Sequence, residues 1–138
     1  MTSKTPYLID TSALGALVMS SERAHQHYLL TLQELSPQQN LSIITTDYII
    51  DEWFTMLRCK LKIPVHDIFE FYDEICPSLI IIPITSDIFE AAIKLLRKYD
   101  DHFLSFTDAT TVALMKKENI HSILTTDHDF QIFGFEIL

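Results

Sequence analysis

Five short apolar runs, "YLI" (7–9), "LSII" (41–44), "SLIIIPI" (78–84), "HSIL" (121–124) and "FEIL" (135–138), alternate along this chain with stretches of helical periodicity. No other feature limits the fold as strongly. Strands joined through helices pair in parallel, because a helical crossover returns the chain to the same end of the sheet. "SLIIIPI" is continuous and β-branched, as a strand covered on both faces should be. The expectation is an α/β chain, a three-layer α/β/α sandwich around a short, mostly parallel sheet of four to five strands. Ligands of such sheets bind beyond the carboxyl ends of the strands, so the residues after each run are the first candidates for chemistry.

The stretches between the runs read as helices. "DTSALGALVMS" follows the first run with Thr11 and Ser12 placed to start one, and a second is expected from Ser21 to Leu35, ended by "SPQQN". From Asp47 to Leu61, Ile49, Ile50, Trp53, Leu57 and Leu61 recur at helical spacing, and Pro64 closes the stretch. Asp67 and Glu70 have the spacing of a capping pair ahead of Ile68, Phe71, Tyr72 and Ile75. Further helices are expected from Ser86 and over 107–119, the last with Lys116 and Lys117 at its negative end.

At 138 residues, 48% hydrophobic, with two Gly and five Pro, the chain fits one domain over 1–138 with no linker. No run reaches the roughly 18 apolar residues of a membrane span, and "MTSKTPYLID" lacks a secretory h-region, so a cytoplasmic chain with no membrane partner is expected. Cys59 and Cys76 lack metal or redox spacing and read as buried, reduced thiols. A net charge of −9 argues against a broad basic surface that grips nucleic acid, but not against metals.

Asp10 follows the first run directly, and Asp108 opens the helix in "SFTDA". Taken singly, each is as well explained by helix capping or the helix dipole as by chemistry. The fold shifts that balance, because it gathers strand ends and helix starts at one edge of the sheet. Asp127, in "ILTTDHDF", lies at such an end and has only eleven residues after it, including Gly134, so no long helix accounts for it. "SIITTD" (42–47) repeats the Thr-Thr-Asp signal, but Asp47 precedes an amphipathic helix whose first turn explains it.

Glu52 lies inside a helix. On a wheel of about 100° per residue, Met56 falls near +40°, Ile49 near +60° and Trp53 near +100° of it, so Glu52 borders the apolar stripe while Asp51 faces away. A carboxylate there needs a metal or another cation as partner. Four gathered acids repel by roughly 4 kcal/mol per close pair at an effective dielectric near 20, which a cation relieves. Oxygen-only ligands select hard ions, Mg²⁺ or Mn²⁺, and such sites hydrolyse phosphodiesters. Thr11, Ser12 and Thr107 are placed to hydrogen-bond the carboxylates.

Together "LIDTSAL", "TDYIIDEWFTML", "SFTDATTVALMKK" and "ILTTDHDF" resemble the PIN domain, specifically the small VapC-like ribonucleases of bacterial toxin–antitoxin pairs, in order and over nearly the whole chain. The resemblance implies that Asp10, Glu52, Asp108 and Asp127 are metal-binding catalytic acids. Ser12 and Thr107 would be their hydroxyl supports, and the reaction metal-dependent cleavage of RNA. Asp129 matches a position often, not always, acidic in the family. An antitoxin protein is the implied partner. A homodimer is also expected, from the apolar and aromatic helices between 47 and 99.

Arg23, early in its helix, is the cation expected near the acids as a phosphate contact. The clusters Arg58–Lys60–Lys62, Lys94–Arg97–Lys98 and Lys116–Lys117 lie towards helix ends and are expected at the opposite edge. The six histidines read as surface or capping residues, and Phe69, Phe71, Tyr72 and Phe89 as core. A haloacid-dehalogenase-like phosphatase needs an Asp where Ser12 stands, a receiver domain needs an acid within 83–86, and a P-loop needs glycines this chain lacks. The remaining alternative is a PIN-like protein-binding module with inert acids.

Overall fold

The computed structural model describes residues 5–19, 23–35 and 41–138. Strand β1 (Thr5–Ile9) leads into α1 (Thr11–Val18) and α2 (Arg23–Leu35). There follow β2 (Leu41–Thr46), α3 (Asp47–Thr55), α4 (Val65–Ile75), β3 (Ile80–Ile82), α5 (Ser86–Lys98), α6 (Phe106–Lys117), β4 (Ser122–Leu124) and β5 (Glu136–Ile137). The five strands form one sheet in the order β3-β2-β1-β4-β5, parallel throughout and flanked by the helices, as the alternation of runs predicts.

The chain steps outward from β1 to β3, then returns to the far side of β1 for β4 and β5. The order therefore reverses between β1 and β4, and their carboxyl ends open the crevice where such sheets bind ligands. Around it one apolar cluster joins Leu8 and Ile9 of β1, Ile123 and Leu124 of β4, Trp53 of α3 and Val112 of α6. Helices α5 and α6 run side by side in the same direction: Phe89 and Phe106, near their starts, stack at 4.9 Å, while Lys98 and Lys116, at their ends, share one cleft. The loop between them thus carries the chain back, and α6 starts at the carboxyl edge of the sheet.

The long helix expected over 47–61 is divided. It is α-helical to Thr55 and then makes a π turn over Met56–Lys60, closed by Leu61 N–H donating to the Met56 carbonyl at 3.0 Å. Beside it, Gly15 of α1 lies against the end of the flexible Met56 side chain, which a Cβ there would push aside.

Other expectations are corrected. The run 78–84 forms only Ile80–Ile82, because Cys76–Ser78 is a 3-10 turn. It is also an edge strand, with Ile80 50% exposed, and is not covered on both faces. The Asp67–Glu70 capping pair does not form: Pro64 occupies the cap position, and Glu70 pairs with His66 at 3.2 Å. Cys76 is buried but Cys59 is exposed, and both are free. Phe69 and Phe89 are exposed rather than core. Ser21, at the expected start of the second helix, and "SPQQN" lie outside the described residues.

Candidate active site

The two Thr-Thr-Asp copies lie at the carboxyl ends of β2 and β4, the strands on either side of β1, at the same edge of the sheet, and their side chains part ways there. In the first, Thr45 donates to the Ile9 carbonyl at 3.1 Å and Thr46 caps α3 by accepting from Ile49 N–H at 3.0 Å. Asp47 accepts from Tyr48 N–H at 3.0 Å and from Ile84 N–H at 2.9 Å, tying α3 to the segment after β3. In the second, Thr125 turns its hydroxyl to Asp10, donating to Oδ2 at 2.6 Å, and accepts from Asp127 N–H at 3.0 Å. Asp127 starts no long helix but caps a short 3-10 turn over His128–Phe133, whose Asp129 N–H donates to Asp127 Oδ1 at 2.9 Å.

Asp10 caps α1 and is bound on both oxygens. Oδ1 accepts from Ser12 N–H, Ser12 Oγ and Ala13 N–H at 3.1, 2.7 and 3.2 Å, while Oδ2 accepts only from Thr125. The Ser12 hydroxyl also accepts from Thr126 N–H at 2.9 Å. Ser12 and Thr125 each spend their one proton on Asp10, so their own contact at 3.2 Å is no hydrogen bond while Asp10 is ionised. Burial pushes the Asp10 carboxyl above its usual range, against the pull of these donors.

Asp108 belongs to a capping box at the start of α6. Its N–H donates to Ser105 Oγ at 3.0 Å, and its Oδ2 accepts from Ser105 N–H at 3.3 Å. Burial, and behind it repulsion from Glu52 and Asp10, pushes this carboxyl up to about 6. Capping and pocket are therefore both true of Asp10 and Asp108: one oxygen serves the helix, while the other is held by Thr125 in Asp10 and accepts no hydrogen bond among the described residues in Asp108.

Asp10, Glu52, Asp108 and Asp127 line one cavity of about 420 Å³, together with Thr11, Ser12, Thr55, Met56, Lys60 and Ser105. The donor set is all oxygen. Asp10 Oδ2 has one lone pair free, Asp108 Oδ1 and Asp127 Oδ2 accept no hydrogen bond among the described residues, and neither oxygen of Glu52 does. This fits a hard cation held partly through water. The acids are looser than the sequence implies, since no three of them bring ligand oxygens within 4.8 Å of one another. Among the described residues only His66, Asp67 and Glu70 on α4 do so, His66 and Glu70 exposed and Asp67 half-buried. Mutual repulsion explains the spread.

Four further expectations fail. Thr107 offers its carbonyl to Thr110 and Thr111, while its hydroxyl reaches no carboxylate among the described residues, and it does not line the cavity. Thr11 bonds no carboxylate either; its hydroxyl is buried without a partner. Arg23 lines a neighbouring cleft with Tyr28, Thr125 and His128 and does not reach the acids. Asp129 is exposed in the first turn of the 3-10 helix and does not line the cavity. Conversely, Lys60, placed by its cluster at the opposite edge, lines the cavity. Thr125 and Ser105 were missed as supports, although Ser105-x-x-Asp108 has the spacing of a capping box.

Asp47→Ala, which removes two bonds, is expected to cost about 0.5 to 2 kcal/mol with activity retained. Asp127→Ala is expected to cost less than about 1 kcal/mol and to weaken both metal binding and catalysis. Denaturant unfolding of both variants, with calorimetry of Mn²⁺ binding, checks the pair. Unchanged metal affinity in Asp127→Ala would remove that residue from the set.

A family model described as PIN domain matches residues 7–136. The 23S rRNA-specific endonuclease VapC20 of Mycobacterium tuberculosis is 27% identical over 129 residues, covering 92% of this chain and 93% of the relative. Its crystal structure, described as that of a sarcin-ricin loop cleaving toxin, superposes with a TM-score of 0.78 at 24% identity over 94% of this chain and 95% of that one. VapBC2 from Rickettsia felis, bound to a DNA fragment from its promoter, gives 0.73 at 14% identity over 97% and 98%. PAE2754 from Pyrobaculum aerophilum gives 0.67 at 14%, over 96% and 83%.

Proposed function

This chain belongs to the PIN domain family, and from that premise we propose that it is a metal-dependent endoribonuclease, hydrolysing RNA phosphodiester bonds as the toxin of a toxin–antitoxin pair. The observation that carries the reading is the convergence of Asp10, Glu52, Asp108 and Asp127 on one cavity at the point where strand order reverses. VapC20, a 23S rRNA-specific endonuclease, and the VapBC2 complex support it. The family match over 7–136 and the continuous apolar cluster support one domain across residues 1–138.

In this reading the four acids hold Mg²⁺ or Mn²⁺. When bound, such an ion polarises a phosphoryl oxygen and lowers the pKa of a coordinated water. The chain's own part is preorganisation. Ser12 and Thr125 fix the rotation of Asp10, the capping box fixes Asp108, and the 3-10 turn fixes Asp127. Met56 supplies an apolar side chain to the cavity wall, which lowers the local dielectric.

A protein partner is supported by a second, apolar groove of about 560 Å³ between α1, α2 and α4, lined by Leu17, Val18, Leu29, Leu32, Phe71 and Ile75. An antitoxin segment is its proposed occupant. Exposed Leu61, Val65 and Phe69 support a homodimer through the bend between α3 and α4. Light scattering from micromolar to hundred-micromolar concentration is expected to show a dimer, and a monomer throughout excludes it. No described helix is long and apolar enough to cross a membrane, which agrees with the proposed cytoplasmic setting.

The test is incubation of the purified chain with assorted RNAs under Mn²⁺, Mg²⁺ or chelator. Cleavage that needs the cation is expected. Failure to cut any RNA with either ion would favour the inert protein-binding module.

A further inference from the structure

We infer that Lys60, brought to the acidic cavity by the π turn, contacts a backbone phosphate of the RNA. The inference rests on the ribonuclease reading. An uninterrupted α-helix would carry Lys60 about 80° around the axis from Glu52, eight steps of about 100°, to the side where Trp53 is buried. The π turn, closed by i to i+5 bonds, advances each residue by less than an α-helix does. Lys60 is thereby rotated back towards the azimuth of Glu52, and both line the cavity. π turns of this kind are frequent at functional sites.

One feature distinguishes a ligand contact from charge balance. Among the described residues the ion pairs within 4.0 Å are His66–Glu70 and His102–Asp101, so the Lys60 ammonium closes on none of the four acids that line the cavity with it. A phosphate non-bridging oxygen accepts from such an ammonium. The need is also electrostatic. A chain of net charge −9 repels a polyanion, and Lys60 is the one cation among the described residues lining this cavity.

The experiment measures binding of a mixed-sequence, single-stranded 2′-O-methyl oligoribonucleotide, resistant to hydrolysis, to the full chain in Mg²⁺ across a salt series. Lys60→Gln is expected to weaken binding about tenfold and to reduce the slope of log affinity against log salt by about 0.7, one phosphate contact on a single strand. Lys60→Arg should restore the slope. Mn²⁺ affinity should be the same in Lys60→Gln as in the wild type. If Lys60→Gln keeps the wild-type slope while the wild type cleaves RNA, the phosphate contact is wrong and the ribonuclease reading stands. Tighter Mn²⁺ binding in Lys60→Gln with RNA affinity intact would make Lys60 a charge balancer. A wild type that neither binds nor cuts RNA overturns both.

Discussion

Asp108→Asn is expected to lower RNA cleavage by at least about 10³-fold while leaving the metal-free chain folded and, above pH 6, more stable. The activity loss follows from removing one charged oxygen from the donor set of an ion that supplies several kcal/mol of transition-state stabilisation. The stability gain follows from the Asp108 carboxyl itself, whose folded value of about 6 stands above its ordinary 3.8. A carboxyl that binds its proton more tightly when folded costs stability as pH rises from about 4 to 6, and the cost is complete above that window. Asparagine never ionises, and its Oδ1 can still accept from Ser105 N–H. A rise from 3.8 to about 6 corresponds to at most about 3 kcal/mol. Partial exposure and the lost helix-dipole interaction, about 0.3 to 1 kcal/mol, leave a net gain of about 1 kcal/mol. Thermal unfolding at pH 5 and pH 8, with the cleavage assay, checks both halves. A loss above about 3 kcal/mol, or retained cleavage, would make Asp108 a capping residue and nothing more.

Manganese is expected to stabilise the chain at pH 7.5 by about 2.7 kcal/mol when present at a hundred times its dissociation constant, raising the melting temperature by roughly 5 to 10 °C. The same acids that repel one another in the free chain become its ligands, so binding removes the penalty at Asp108. Proton competition sets the pH dependence. Below about pH 6 the Asp108 carboxyl holds its proton, and the manganese effect should shrink. His66, Asp67 and Glu70 form a second candidate ligand group, so the rise should persist in His66→Ala and diminish in Asp108→Asn. An unchanged melting temperature together with no calorimetric heat would rule the site out.

The acids were legible in the sequence for different reasons. Asp10 and Asp127 follow short apolar runs, and the rule that such sheets bind ligands at strand ends selects them without any coordinates. Glu52 emerged from helical phase, which holds because α3 is regular up to Thr55. Lys60 did not, because its position depends on a π turn in "MLRCK", a stretch with no glycine, proline or other local marker. Thr125 was hidden because a buried threonine at a strand end looks like any β-former, and only the packing of β4 beside β1 aims it at Asp10. Burial of the third strand was overestimated for a related reason: composition reports that a run is apolar, not whether topology places it at the rim.

That rim strand bears on how the chain behaves in solution. The outer edge of β3 leaves backbone donors and acceptors unpaired beside exposed Ile80 and Ile81, the surface on which a foreign strand can template itself. Its reach is short, at three residues, with a 3-10 turn through Pro77 just before it and Pro83, which has no N–H to offer, immediately after. The prolines thus act as fences, stopping an aggregation-prone segment from lengthening while allowing its isoleucines to stay greasy.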